Sequence, residues 1–139
     1  MQLSANEMGA WVSAYIDAQQ SETEIGPGHP MWWAIERFRI SAELSDAEDA
    51  WSALLEVLAR RPPQQVLMLL ASGPLEDLID LWGAEFIDRI EAAASADIAF
   101  KQLLDEVWEC GSDDVWERVE AARRGSPKQH SEVVNRNRQ

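Results

Sequence analysis

The sequence predicts an all-α fold, a compact multi-helix domain of seven or eight short helices. Apolar residues recur with the three- and four-residue spacing of helices from residue 4 to residue 124, and no stretch shows the alternation of a strand. Gly and Pro interrupt this pattern at Pro62-Pro63 and Gly73-Pro74, which predicts short helices separated by tight breaks. Such a chain folds either as an orthogonal or solenoid-like bundle or as HEAT-like stacked helical hairpins.

The helices can be placed in order from their caps and breaks. Ser4 with Glu7, and Ser45 with Glu48, form capping-box patterns, Pro30 suits the first position of a second helix, Gly83 suits a helix end, and Ser112 suits the cap of the last helix. The expected inward residues, in chain order, include Trp11, Val12, Tyr15, Met31, Ala34, Ile35, Phe38, Ala47, Ala50, Trp51, Leu54, Leu58, Leu78, Ile79, Phe86, Ile87, Ile90, Phe100, Leu103, Leu104, Val107, Trp108, Val115, Trp116 and Val119. In a HEAT-like arrangement, 45–60 would pair with 64–72 and 84–94 with 98–110.

Length and composition indicate one domain. The 139 residues suffice for one core, and we expect a single α-helical domain over 1–125 followed by a disordered tail over 126–139, which has no apolar pattern. The single cysteine, Cys110, has no partner in the chain and suits a reducing compartment. No signal-peptide pattern and no long apolar run is present, so the sequence predicts a cytoplasmic protein.

The charge is strongly acidic, with a formal net charge of −13. Between residues 75 and 117 only Arg89 and Lys101 oppose thirteen carboxylates. A field of this sign repels phosphate groups, which argues against nucleic acids and anionic membranes as partners and favours a protein with a basic surface. Acidity that simply maintains solubility is the plainer interpretation.

Four stretches carry a resemblance to a known family. They are the HPxWW motif that opens 29–38, the segment 70–79 with its GPLEDLI motif, the FIDRIE motif of 86–91, and the closing Val107-Trp108 and VWERV patterns. Over about residues 29–124 the chain resembles a bacterial domain-of-unknown-function family of small acidic helical proteins. The resemblance implies a small helical protein and transfers no catalytic residue.

The candidate chemical groups do not form a recognisable catalytic or metal-binding set. His29 precedes a helix and suits a hydrogen bond to the backbone, while Glu76 and Asp77 suit stabilisation by the N-terminus of a helix. Cys110 has acidic neighbours that disfavour its thiolate, so we expect it to be inert. The sequence therefore predicts neither a metal nor a cofactor, and a protein that is not an enzyme. The open alternative is an unrecognised enzyme using Glu36, Glu76 or Asp77 around His29.

Two surfaces are better candidates for function. Trp33 points away from the inner face of its helix, together with Ile40, so it is either sandwiched between two layers, which we favour, or displayed to a partner. The second surface, termed the acidic ridge, lacks interleaved basic residues and consists of Asp105, Glu106, Glu109, Asp113, Asp114 and Glu117. On a helix over 98–110, Asp105 and Glu109 would repel each other at i, i+4, which a helix selected only for stability would avoid.

These features together favour a protein-binding inhibitor. Its most specific form is an immunity protein that neutralises a bacterial toxin by presenting the acidic ridge to a basic active-site cleft. The alternative outside enzymes is an adaptor or structural module of a larger assembly, which would bind through Trp33. The sequence does not fix the partner or the oligomeric state.

Overall fold

A computed structural model describes residues 4–21, 26–39 and 43–124 of the chain. These residues form seven α-helices and one π-helical segment, and they contain no strand. The elements are α1 (Ala5–Gln19), α2 (Trp32–Glu36), α3 (Leu44–Ala59), α4 (Gln64–Leu70), the π-helical segment (Ala71–Leu75), α5 (Glu76–Ala96), α6 (Ile98–Leu104) and α7 (Asp113–Arg124). The all-α prediction is confirmed.

The capping box predicted for α1 is present. The Ser4 hydroxyl accepts a hydrogen bond from the Glu7 backbone N–H at 3.1 Å, and the Glu7 carboxylate accepts one from the Ser4 N–H at 2.9 Å. These two bonds satisfy donors that a helix N-terminus otherwise leaves unpaired. The Trp11 indole N–H then donates to the Ala34 carbonyl at 2.9 Å, which joins α1 to α2 through a buried hydrogen bond.

The starts of α2 and α3 differ from the predictions. α2 begins at Trp32, two residues after Pro30, and His29 accepts a hydrogen bond from the Met31 backbone N–H at 3.1 Å, as expected of a residue ahead of a helix. α3 begins at Leu44, so Ser45 lies inside the helix and does not cap it. Its expected partner in the capping box, Glu48, instead binds Arg89 of α5.

A single long helical rod runs from α4 through the π-helical segment into α5. The predicted break at Gly73-Pro74 is therefore wrong, whereas the helix end predicted at Gly83 lies one residue after a kink that divides α5 into two helical stretches. Pro74 lacks a backbone N–H and its ring would collide with the carbonyl four residues earlier in an α-helix, and the wider π turn accommodates it. This kink is at Trp82, whose backbone angles (φ −131°, ψ 26°) leave the helical region.

α6 is shorter than the predicted helix over 98–110. It ends at Leu104, and residues 105–112, termed the acidic loop, are not helical. Ser112 caps α7 as predicted, because its hydroxyl accepts a hydrogen bond from the Val115 N–H at 3.2 Å.

The core is continuous and α5 lies at its centre, against α3, α6 and α7. Trp51 of α3 meets the rings of Phe86 and Phe100 at centroid distances of 5.8 and 5.7 Å. Of the two predicted hairpins, the one between α5 and α6 is present, whereas α3 packs mainly on α1 and α5 rather than on α4. Trp108, which the sequence placed in the core, is on the surface.

Two of the sequence predictions, the disordered tail over 126–139 and the outward position of Ile40, concern residues outside the described ranges. Within the described ranges, no helix has both the length and the apolar character that crossing a bilayer requires.

Candidate functional site: the acidic loop and its clefts

The acidic loop is fixed to α5 by two carboxylates that bind its backbone. Glu76 accepts a hydrogen bond from the Trp108 N–H at 2.9 Å, and Asp80, one turn later, accepts one from the Gly111 N–H at 3.0 Å. Gly111 has a φ of +77°, a left-handed conformation that favours glycine. The loop is therefore shaped by side chains from a neighbouring helix.

A cation from α7 binds the other end of the loop. Arg123 donates hydrogen bonds to the carbonyls of Val107 at 3.0 Å and Leu104 at 3.5 Å. Its guanidinium also lies 5.0 Å from the centre of the Trp116 ring, and Glu120 accepts bonds from both of these side chains. The backbone of the loop is therefore held from both sides, by two carboxylates of α5 and by one cation of α7.

This anchoring displays Trp108 in the solvent. Its side chain is 78% exposed, more than any other large apolar side chain in the described residues. Its backbone is held between Glu76 and Arg123 through the bonds to Trp108 and Val107, so the exposure does not arise from a loose chain end. Tryptophan is enriched among the residues that contribute most to binding at protein interfaces.

Three members of the acidic ridge surround Trp108. Asp105, Glu106 and Glu109 are exposed and, together with Trp108, line a cleft of about 360 Å³ between the loop and α7. A second cleft, of about 400 Å³, lies between the α3–α4 connection and α6. Asp105 and Glu106 line both clefts, so they form the divide between them.

The structure separates the remaining predicted residues from this group. Asp113, Asp114 and Glu117 are exposed on α7 and do not line either cleft, and the first two lie in its first turn, where carboxylates stabilise a helix. The i, i+4 repulsion predicted between Asp105 and Glu109 does not apply, because these residues are not in a helix.

Trp33 is on the surface rather than sandwiched between layers, contrary to the favoured arrangement. It is 43% exposed on α2, which packs against α1, and it does not line the clefts of the acidic loop. The structure therefore presents two exposed tryptophans on different elements. The sequence did not indicate that Trp108 is exposed, because its position continues the apolar spacing of α6.

The side chains considered for catalysis, Glu76, Asp77 and His29, have contacts or positions that a structural role explains. Glu76 binds the loop backbone, and His29, bound to the Met31 N–H, lines neither of these two clefts. Asp77 does not lie at a helix N-terminus, because the helical rod continues before it. Its pKa is raised, first by burial and then by Glu76 and Asp80, which is the opposite of the predicted stabilisation by a helix dipole.

The surroundings of the Cys110 thiol disfavour its thiolate. Burial raises the pKa of Cys110 to about 11, and the neighbouring carboxylates of Glu76, Asp80 and Asp77 act in the same direction. The described ranges contain no group of three or more His, Cys, Asp or Glu side chains that could hold a metal ion.

The comparisons with known proteins give a family and no activity. A protein-family model matches residues 20–126, and its family is described as one of unknown function, DUF6869. No curated protein and no solved structure matches the chain.

Proposed function

This chain belongs to the DUF6869 family, whose function is unknown, and we propose that it is a protein-binding module whose contact surface is the acidic loop. Trp108 is the anchor of this surface, and Asp105, Glu106 and Glu109 are its charged surroundings. The observation that carries the proposal is the exposure of Trp108 on a loop held by hydrogen bonds from two helices. Exposing a large apolar side chain on a rigid support costs free energy, and a partner that covers it recovers that free energy.

The charges around Trp108 favour a partner with a basic surface. Asp105, Glu106 and Glu109 have no ion pair among the described residues, so their charge is available to attract an opposite charge. A partner with Lys or Arg around an apolar or aromatic pocket would satisfy both parts of the surface. The long-range attraction raises the rate of association, while the desolvated tryptophan slows dissociation.

The most specific form of this proposal is an inhibitor. A small acidic protein that covers a basic active-site cleft would act as an immunity protein against a bacterial toxin. Support comes from the net charge of −13 and from the anchoring of the loop backbone to α5, which holds the exposed Trp108 in place for contact with a cleft. In this form the protein is not an enzyme, needs no cofactor or metal, and acts in the cytoplasm.

A second candidate function is an adaptor module that binds through Trp33. The observation that favours it is the 43% exposure of Trp33 on α2. Its surroundings differ from those of Trp108, because Arg37 and Arg39 follow within two turns. Binding through this residue would therefore favour an acidic partner and would not depend on the carboxylates of the acidic loop.

The experiment starts with capture of the partner. The tagged chain is used as bait in its native host, the partner is identified by mass spectrometry, and both rate constants are measured at low and high salt. Reversal of Asp105, Glu106 and Glu109 to Lys should slow association, and the salt dependence should weaken, because the Debye length is about 8 Å at physiological ionic strength. Trp108→Ala should mainly raise the dissociation rate.

The matched control reverses three exposed carboxylates elsewhere, at Asp17, Glu36 and Glu85. This variant has the same net charge as the loop variant but retains the loop. If both variants associate at the same rate, net charge and not the acidic loop steers the partner. If Trp33→Ala raises the dissociation rate and Trp108→Ala does not, the adaptor function replaces the proposal.

A further inference from the structure

A third pocket lies between α1, α2 and the π-helical segment, and it shares no lining residue with the clefts of the acidic loop. Its volume is about 250 Å³. The apolar side chains that line it are Ile35, Phe38, Leu69 and Pro74. Its polar side chains are Tyr15, Gln19, Arg39, Ser72 and Asp77. The lining thus combines apolar surface, which a small molecule can cover, with polar groups that can fix its orientation.

Tyr15 is the first unusual feature of this pocket. Only 1% of its surface is exposed, its ring packs edge-on against Phe38 at a centroid distance of 4.8 Å, and its buried hydroxyl has no hydrogen bond of good geometry with any described residue. Burial raises the pKa of Tyr15 to about 12, and a hydrogen-bonding contact with the Gln19 side chain, outside good geometry, offsets this only in part. A buried hydroxyl without a partner costs free energy, and tyrosine hydroxyls in cores normally find one.

Two opposite charges are the second feature. Arg39 and Asp77 both line the pocket and are both exposed, and no ion pair joins them in the described ranges. The Arg39 guanidinium lies 5.6 Å from the centre of the Trp32 ring, on α2. The Asp77 carboxylate stands on α5, directly after the π-helical segment. The outer part of the pocket thus offers one cation and one anion on different elements.

The π-helical segment forms one wall. Its wide turn presents Ser72, Gly73 and Pro74 to the pocket, and apart from the adjoining backbone no atom of the described residues lies within 4 Å of the position that a Cβ would take at Gly73. Segments of this kind inside α-helices occur frequently at functional sites. The open space beside Gly73 is therefore part of the pocket rather than a packing contact.

From these features we propose that the pocket binds a small zwitterion, a free α-amino acid whose apolar side chain ends in a hydrogen-bonding group. The carboxylate of the ligand would meet Arg39 and its ammonium group Asp77. Its side chain would lie between Phe38 and Leu69, and its polar end would reach the Tyr15 hydroxyl. Because that hydroxyl has no contact with solvent and the Gln19 side chain approaches it, the ligand would displace Gln19 when it binds.

The test uses the full chain and free L-amino acids as probes. Each of the twenty amino acids is titrated into the protein and followed by two-dimensional NMR. For any amino acid that binds, calorimetry then compares its affinity with that of two relatives, the amine that lacks its carboxylate and the acid that lacks its amino group. The zwitterion should bind at least tenfold more tightly than either relative, and Arg39→Gln and Asp77→Asn should each remove most of that advantage. The proposal would be overturned if none of the twenty amino acids binds when its concentration is about 10 mM, because a dissociation constant above that value is too weak for a specific site.

Tyr15→Phe supplies a readout that separates binding from folding. Without a partner for its hydroxyl, the ligand-free variant should unfold at the same temperature as wild type or higher, yet bind the ligand about three- to tenfold more weakly. A lower unfolding temperature would show that the hydroxyl is already paired, and the proposal would be wrong. Reversal of Asp105, Glu106 and Glu109 should leave amino-acid binding unchanged, so this test is independent of the acidic loop.

Discussion

A Cβ atom at Gly83 would stand 2.8 Å from Cγ1 of Val115, closer than carbon atoms approach without one of them moving. Gly83 lies in the middle of α5 and Val115 in the first turn of α7, so this contact fixes how closely the two helices approach. The glycine that the sequence indicated as a helix end is needed for packing between helices. Its role follows from the absence of a side chain rather than from backbone flexibility.

Gly83→Ala should destabilise the protein by about 1–3 kcal/mol, the range expected when a methyl group is forced into a packed site. Gly73→Ala is the matched control, because it also lies in a helical segment and has open space around its Cβ position. Urea unfolding measures both variants. Equal stability of the two would show that α7 can move away from α5 without cost.

Trp51→Ala and Trp108→Ala should differ sharply in stability. Trp51 is buried against Phe86 and Phe100, and its truncation should cost about 3–5 kcal/mol. Trp108 is exposed, so its truncation should change the free energy of unfolding by less than about 0.5 kcal/mol. Thermal and urea unfolding test this, and a large loss from Trp108→Ala would place that side chain in the core after all.

Asp77→Asn should stabilise the folded protein at neutral pH. The pKa of Asp77 is raised in the folded state, so the folded protein holds this proton more tightly than the unfolded chain does, and stability falls as the pH rises through the raised pKa. The gain should stay below about 1 kcal/mol because the carboxyl is well exposed, and it should vanish below pH 3.8. Unfolding curves from pH 3 to pH 8 would show a gain that grows with pH. A difference that stays constant over this range would show that the Asp77 carboxylate is not destabilised by burial and its acidic neighbours.

Glu76→Gln and Asp80→Asn should loosen the acidic loop while leaving the helices intact. Each substitution weakens a hydrogen bond from a loop N–H to a carboxylate, at Trp108 and Gly111 respectively. Amide hydrogen exchange at those two positions should accelerate, while exchange in α3 should not change. Glu85→Gln, on an exposed part of α5, is the control. Unchanged exchange would mean that the loop keeps its shape without these bonds.

Cys110 should react slowly with iodoacetamide at pH 8. Burial, with the adjacent carboxylates of Glu76 and Asp80, holds the pKa of its thiol at about 11, so little thiolate is present. Unfolding in urea should accelerate alkylation on the order of tenfold to a hundredfold, as mass spectrometry would show. Equal rates in the folded and unfolded states would indicate an exposed thiol.

The sequence predicted features that depend on neighbours along the chain and missed those that depend on distant ones. The Ser4–Glu7 capping box and the inward positions of α1 and α3 follow from local spacing. The end of α6 does not, because Glu76 and Asp80 capture N–H groups of the segment after Leu104 and override its helical pattern. The acidic residues of the site could be named in advance, but their arrangement around an exposed Trp108 could not.

One signal of the π-helical segment was nevertheless present in the sequence. From Leu70 to Ile79 the buried residues repeat every four positions, at Leu70, Pro74 and Leu78 and again at Ala71, Leu75 and Ile79. In an α-helix a step of four residues overshoots a full turn by about 40°, so such a repeat drifts around the helix surface. A wider turn removes that drift and keeps every member of the repeat on the core side.

The wide turn between α4 and α5 therefore holds about one residue more than an α-helix needs for the same rotation. A deletion of one residue from 71–75 would let this part of the chain wind as an α-helix while Val66 and Leu70 stay on the core side. It would also remove the wide turn that accommodates Pro74. Relatives of this chain in which another residue replaces the proline should accordingly tolerate a segment that is shorter by one residue.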